Sequence, residues 1–296
     1  MSRSERANGG KASRKKKDIC LEKPFPLFRS SRISFEDGID SVVRLLQDKK
    51  RIVVLTGAGI SVSCGIPDFR TKGTGLYSTL DPHEYGLQAP EDIFCYEQFQ
   101  EDPRPFYAFA RSLYFPLGTE EKVRPSDSHK LIALLEQNRQ LLRVYTQNID
   151  GLEEVAGVSP KKVVYAHGSL QYAKCLRCQQ KVPASEIEKD ILHGSVAYCQ
   201  VPKKGSSARK QPASRESSRQ KRPRHESPAV CNGVLKPGVT FFGEPLSQQV
   251  RRYLEADRDK VDALIVIGTS LSVYVLGPKC RSVYRTHVVT APRYPR

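Results

Sequence analysis

Apolar residues along this chain gather in short blocks, each closing on glycine or a small polar residue. Ile52-Val53-Val54-Leu55 is apolar and mostly β-branched, and ends at Thr56-Gly57. That is the pattern of a strand buried on both faces of a parallel sheet. Leu142–Thr146 runs into the polar tip Gln147-Asn148-Ile149-Asp150, Val163–Ala166 into His167-Gly168, and Ala263–Ile267 into Gly268-Thr269-Ser270. Val239–Phe242 reads as a fifth strand, closing at Gly243. Ile39, Val42, Val43 and Leu46 recur at helical spacing ahead of the first strand, with Ser34 as N-cap and Asp37 in the first turn. Ser126 caps a later helix whose apolar face is Leu131, Leu134 and Leu135. Residues 71–125 mix aromatics, prolines and short helical patterns such as Phe99–Leu113, without a long strand, and read as an inserted helical module. The whole predicts an α/β fold: a Rossmann-like, doubly wound parallel sheet whose carboxyl strand ends face a ligand crevice.

The glycine turn after the first strand bears on what that ligand is. Gly57-Ala58-Gly59 stands where the chain must turn sharply, and glycines there let backbone N–H groups approach a ligand. A helix starting near Ile60 would aim its positive end at a phosphate. Gly65-Ile66-Pro67-Asp68-Phe69-Arg70 then stops that helix and brings an aromatic, an acid and a base to the same mouth. A tight turn with no ligand is the plainer alternative for a bare Gly-x-Gly.

Composition changes the picture in two places. With 296 residues the chain can bury a sizeable core, and no apolar run reaches the roughly 18 residues of a membrane span. A soluble, intracellular protein is expected, so the eight cysteines are not expected to form disulfides. The net charge of +16 suggests nucleic-acid binding until it is located. Residues 1–17 carry +6 and residues 203–225 carry +8, which leaves the rest near neutral. That argues against a basic groove in the fold and for import signals or loose polyanion contact. Residues 1–32 lack the apolar content to fold and are expected to be a disordered tail, with Arg14-Lys15-Lys16-Lys17 a candidate import patch.

Cys175-x-x-Cys178, with Cys199 and Cys231 downstream, supplies four soft ligands for a tetrahedral structural zinc. The interval from Cys199 to Cys231 is long because the basic, Ser-rich run Lys203–His225 splits what would be a second short pair. Loop-closure entropy grows slowly enough to tolerate this. A redox-active CxxC, or replacement of one thiol by His193 or His225, are the alternatives. Cys20, Cys64, Cys95 and Cys280 stand alone as a tail thiol and small buried groups. His167, at a strand end level with Asn148 and Asp150, is the candidate general base, since an imidazole can take a proton near neutral pH. A structural histidine, and turn capping by Asn148 and Asp150, are the plain alternatives.

GAGIS, GIPDFR, TQNID, HG followed by CxxC, KPxxxFFGE and IVIGTSL occur here in the order found in sirtuins, over about Ile33 to Val273. The chain resembles that family of NAD-dependent protein deacylases, and its class I nuclear deacetylases most. The resemblance implies that Gly57, Ala58, Gly59, Asp68, Phe69 and Arg70 contact NAD, with Phe69 shielding the nicotinamide-ribose bond. Gln147, Asn148 and Asp150 would line the ribose and nicotinamide pocket; Gly268, Thr269 and Ser270 would hold the adenosine side. Val239, Thr240, Phe241, Phe242 and Gly243 would pair with substrate as an added strand and wall an acyl-lysine tunnel. His167 would be the base that promotes attack of a ribose hydroxyl, after the acetyl oxygen has displaced nicotinamide from C1′. Products would be deacetylated lysine, nicotinamide and O-acetyl-ADP-ribose. Gly75–Leu80 holds no arginine, which suits a neutral acetyl group rather than an acidic one.

The implied organisation is a tail at 1–32, a catalytic domain at 33–276 and a C-terminal tail at 277–296. Within the domain, Rossmann parts lie at about 33–70, 126–168 and 236–276, a helical insertion at 71–125, and a zinc module at 169–235 containing a disordered basic insertion at 203–228. Two departures from the family stand out. Gly238 occupies a position that is usually acidic, and the family's closing segment is not recognisable after Val273. Thr286–Ala291 offers a substitute edge strand; a truncated end with impaired NAD binding is the alternative. Acetylated proteins, histone tails foremost, are the expected partners, with nuclear localisation and the cytoplasm as second choice. Mono-ADP-ribosyl transfer and a catalytically silent, zinc-bearing chromatin module are the competing functions.

Overall fold

A computed structural model describes residues 35–118, 123–202, 230–245, 247–270 and 287–290. The chain divides into units 1–43 and 44–296, and α1 (Phe35–Leu46) holds the described part of the first. In the second unit follow β1 (Ile52–Thr56), α2 (Leu76–Thr79), α3 (Tyr96–Glu101), α4 (Arg104–Gly118) and α5 (Asp127–Gln137). Then come β2 (Leu141–Thr146), α6 (Leu152–Val155), β3 (Val163–Tyr165), β4 (Gly168–Cys175), β5 (Lys181–Pro183) and α7 (Ser185–Leu192). β6 (Leu235–Val239), α8 (Gln248–Asp257), β7 (Ala263–Ile267) and β8 (His287–Thr290) complete the order. The basic tail 1–32 with its import patch, the Ser34 cap, the insertion 203–228 with His225, Cys20 and Cys280 lie outside the described residues. So does most of the tail 277–296.

The main sheet runs β3-β2-β1-β7-β8, every pair parallel. All five residues of β1 are buried because both faces are covered. On one side Val53 and Leu55 cluster with Leu264 and Val266 of β7 and with Val250 and Leu254 of α8. On the other, Ile52 and Val54 cluster with Ile132 and Leu135 of α5. Each fully buried Val, Leu or Ile contributes about 1.5–3 kcal/mol relative to exposure. A polar lock ties α8 to β2: Arg143 Nε meets Asp257 at 2.5 Å, and the Tyr145 hydroxyl donates to the same carboxylate at 2.7 Å.

The second sheet, β5-β4-β6, is antiparallel. Its core is continuous with that of the helices at 71–118: Ala173, Val182, Ile187 and Leu235 belong to one cluster with Phe94, Phe99, Phe106 and Phe109. Phe94 is the hub, packing edge-on with Phe69, Phe106, Phe109 and Phe241.

Three elements differ from expectation. The stretch Val239–Phe242 is not a strand of the main sheet: β6 ends at Val239 and pairs with β4. Its apolar pattern announces burial but not which neighbour will accept its hydrogen bonds. The place beside β7 goes to His287–Thr290, within the candidate edge strand. On α5 the buried line is His129, Ile132, Ala133 and Leu135, whereas Leu131 and Leu134 are 42% and 50% exposed. The inward stripe contains a histidine, so leucine content misjudges the face. No helix starts near Ile60; two 3-10 turns, Ala58–Ile60 and Val62–Cys64, end at Gly65 with φ +85°.

Candidate active site and metal centre

The carboxyl tips of β7, β1, β2 and β3 are joined by hydrogen bonds. Gly57 N–H donates to Ile267 O and Gly59 N–H to Gly268 O, at 3.1 and 2.8 Å. A Cβ on Gly57 would lie 2.6 Å from the Thr269 Cβ, and one on Gly59 2.8 Å from the Gly268 Cα. These glycines therefore let two loops interlock, and their N–H groups are taken by the protein. The glycines thus serve the packing of the two loops, whereas the Ala58 N–H between them has no partner among the described residues.

On the β2 tip, Gln147 N–H donates to Thr56 O, and the Asn148 side-chain amide donates to Gly57 O and to the Ser61 hydroxyl, both at 3.2 Å. Asp150 accepts from the Ser61 hydroxyl at 2.7 Å and from Leu152 N–H at 3.0 Å. Thr269 donates to Gln147 Oε1 at 2.8 Å, leaving the buried Gln147 Nε2 without a partner among the described residues. Beyond β3, His167 Nδ1 bonds Gln147 O at 3.0 Å, which makes Nδ1 the protonated nitrogen. Nε2 keeps its lone pair and is buried without a partner among the described residues. Burial lowers the His167 pKa below its usual value, offset in part by the Gln147 carbonyl. Gly59, Asn148 and His167 thus sit on tips bonded to one another.

Asp68 accepts from Arg70 N–H, Thr71 N–H and the Thr71 hydroxyl, so it staples its own loop. Phe69 packs against Tyr77 and Phe94; Arg70 is exposed. In the segment 239–243, Val239 and Phe241 are buried and Phe242 is 44% exposed. Thr240 N–H donates to His167 O, Phe241 N–H to Glu244, and Phe242 N–H to Phe94 O. Among the described residues the Thr240 carbonyl and the Gly243 backbone groups have no partner. Gly238 is covered by Tyr172, whose ring atoms lie 2.5 Å from where a Cβ would be. Ser270 follows Thr269 as a described, exposed residue.

The sulfurs of Cys175, Cys178, Cys199 and Cys231 all lie within 4.8 Å of one another. Cys175 is 3.7 Å from Cys231, and Cys178 is 3.8 Å from Cys199. A tetrahedron of thiolates about 2.3 Å from a zinc has edges of about 3.8 Å, so the donor set and its spacing fit one zinc. Burial raises the Cys175 thiol, but N–H groups of Cys178 and Arg177 pointing at its sulfur outweigh this and bring it down to about 7. His193 bonds Lys189 O instead and is no ligand here. Cys64 and Cys95 are half-buried and outside the cluster. Cys231 N–H donates to Val201 O, Asn232 N–H to Cys199 O, and Pro202 bridges Val230 antiparallel. The two ends of the long interval are thus held together at a neck beside Cys199 and Cys231.

Sequence reasoning missed His129 and Glu153, which are buried behind the β2 tip beside the half-buried Asp150. Ser126 N–H donates to His129 Nδ1, so Nε2 holds the proton and is a donor rather than a metal ligand. Thr56 donates to Glu153 Oε1 at 2.9 Å, and burial pushes that carboxyl up. The one available signal was the histidine three residues after a capping serine.

A Rossmann-like sheet with its polar strand tips bonded together, carrying a module of four clustered thiols, defines an α/β protein with a site fitted to zinc. Residues 57–275 match the model of the Sir2 family. The chain is 41% identical over 235 residues to the NAD-dependent protein deacetylase sirtuin-1 of Rattus norvegicus, covering 79% of this chain and 37% of that protein. It is 37% identical over 270 residues to the NAD-dependent histone deacetylase sir2 of Schizosaccharomyces pombe, covering 87% and 52%. A solved structure described as "Structural Basis for the Mechanism and Regulation of Sir2 Enzymes" matches with a TM-score of 0.65 at 28% identity, covering 88% of each chain. The chain belongs to the Sir2 family. It spans 27–37% of the length of its mammalian sirtuin-1 relatives.

Proposed function

We propose that this chain is an NAD-dependent protein-lysine deacetylase, acting on acetylated proteins with histone tails among them, in the nucleus. The observation that carries the reading is a pair of buried nitrogens, His167 Nε2 and Gln147 Nε2, without partners among the described residues and on strand tips that share hydrogen bonds. Buried polar atoms without partners are rare and each needs an explanation, which a bound ligand supplies for these two at the joined strand tips. The names of the relatives support NAD as that ligand.

Bound NAD supplies a reactive ribose C1′ with nicotinamide as leaving group, so that the acetyl group passes to the ribose. His167, pinned through Nδ1–H, takes the proton of a ribose hydroxyl at Nε2; its lowered pKa keeps it neutral for that task. Thr269 turns the Gln147 amide so that its NH2 faces the ligand. Asn148 and Asp150 act by bracing: their hydrogen bonds to Gly57, Ser61 and Leu152 hold the tip in shape. Gly57, Ala58, Gly59 and Gly268 shape the floor, and Asp68 holds the loop that presents Phe69 and Arg70. Phe69, backed by Tyr77 and Phe94, screens the reacting carbon from water. The four cysteines would hold zinc through protein ligands alone, so the metal would serve the fold.

An acetyl-lysine peptide incubated with and without NAD tests this. Loss of acetyl and release of nicotinamide are expected only with NAD, and are expected to vanish in His167→Ala. Deacetylation without NAD, or undiminished in that variant, overturns the reading. Label from NAD appearing on protein without deacetylation would select ADP-ribosyl transfer instead.

A further inference from the structure

One buried ammonium has no place in the roles above. Lys236, on β6, is 5% exposed. Its Nζ donates to Val239 O at 2.5 Å and meets Glu244 Oε2 at 2.8 Å, and it lies 4.0 Å from the centre of the Phe241 ring. Glu244 Oε2 also accepts from Phe241 N–H at 2.7 Å, while Glu244 N–H donates back to Phe241 O at 3.1 Å. One ion pair thus gathers the inward-facing groups of Val239, Phe241 and Glu244 into a closed turn. The Thr240 carbonyl and Gly243 backbone groups, without partners among the described residues, are left on the remaining edge. A buried ion pair is often no more stabilising than apolar residues of the same size. Its specific effect here is geometric, because each bond fixes one backbone group of the segment.

We propose that Lys236 and Glu244 are positioning residues for the peptide substrate, their ion pair holding residues 237–244 in the form that presents this edge. The proposal rests on the reading of the chain as a peptide deacetylase. Edge pairing depends on the alignment of backbone donors and acceptors, so a segment free to shift binds less well.

The test is the double variant Lys236→Met/Glu244→Gln, which leaves no buried charge unpaired. Anisotropy of a fluorescent acetyl-lysine peptide gives peptide affinity, calorimetry gives NAD affinity, and thermal melting reports folding. Peptide Kd is expected to rise about tenfold with NAD Kd within about twofold. Unchanged peptide affinity in the folded double variant, or equal losses for peptide and NAD, overturns the proposal. If that variant does not fold, Glu244→Gln alone must weaken peptide binding selectively, and no change there overturns it. Failure of the unaltered chain to bind the peptide at all would instead sink the functional reading.

Discussion

Changing Gly59 to alanine tests the interlock of the β1 and β7 tips. The new Cβ would stand 2.8 Å from Gly268 Cα and 2.9 Å from Gly268 O, both backbone atoms. Carbon atoms pack best at about 3.5–4.0 Å, so the loops must separate. Overpacking of this sort costs about 1–3 kcal/mol. Loss of the 2.8 Å bond from Gly59 N–H to Gly268 O adds about 1 kcal/mol. Together these come to about 2–4 kcal/mol, or a fall in Tm of roughly 4–16 °C for a domain of this size. The assay is thermal unfolding by circular dichroism without any ligand. If Gly59 serves only to admit a phosphate, the ligand-free Tm will not change, and that result refutes the interlock.

The pH dependence of kcat/KM should show an acidic limb from His167 with its midpoint below the ordinary histidine value of 6.5, because burial disfavours the charged ring. The same depression makes its contribution to stability present above about pH 6.5 and lost as the pH falls through the folded pKa; a limb centred above 6.5 would contradict this. Metal analysis should find one zinc per chain, and stripping it should lower Tm, because Cys175, Cys199 and Cys231 are buried in the core shared by the small sheet and helices. An unchanged Tm in the metal-free chain would rule out a structural zinc.

The main sheet was legible because β1, β2, β3 and β7 are covered on both faces, which forces apolar runs ending at polar tips. The zinc ligands were legible from thiol chemistry despite the interval before Cys231. Pairing partners were not: the apolar stretch before Gly243 carries no mark of whether β4 or the main sheet will receive it. Nor does a glycine announce what it faces, and Gly57 and Gly59 face protein. Lys236 and Glu244 stood out only as letters of a family motif, since nothing local reveals that a turn will pair them and bury the lysine.

The neck at Pro202 and Val230 has a topological consequence. Paired antiparallel residues stand about 5 Å apart, so the two ends of the intervening sequence are fixed next to each other. With those ends pinned, the number of residues between them can change without moving a cysteine of the cluster, at a cost that grows only with the logarithm of length. Length and composition between residues 202 and 230 are thereby uncoupled from the geometry of the four thiols.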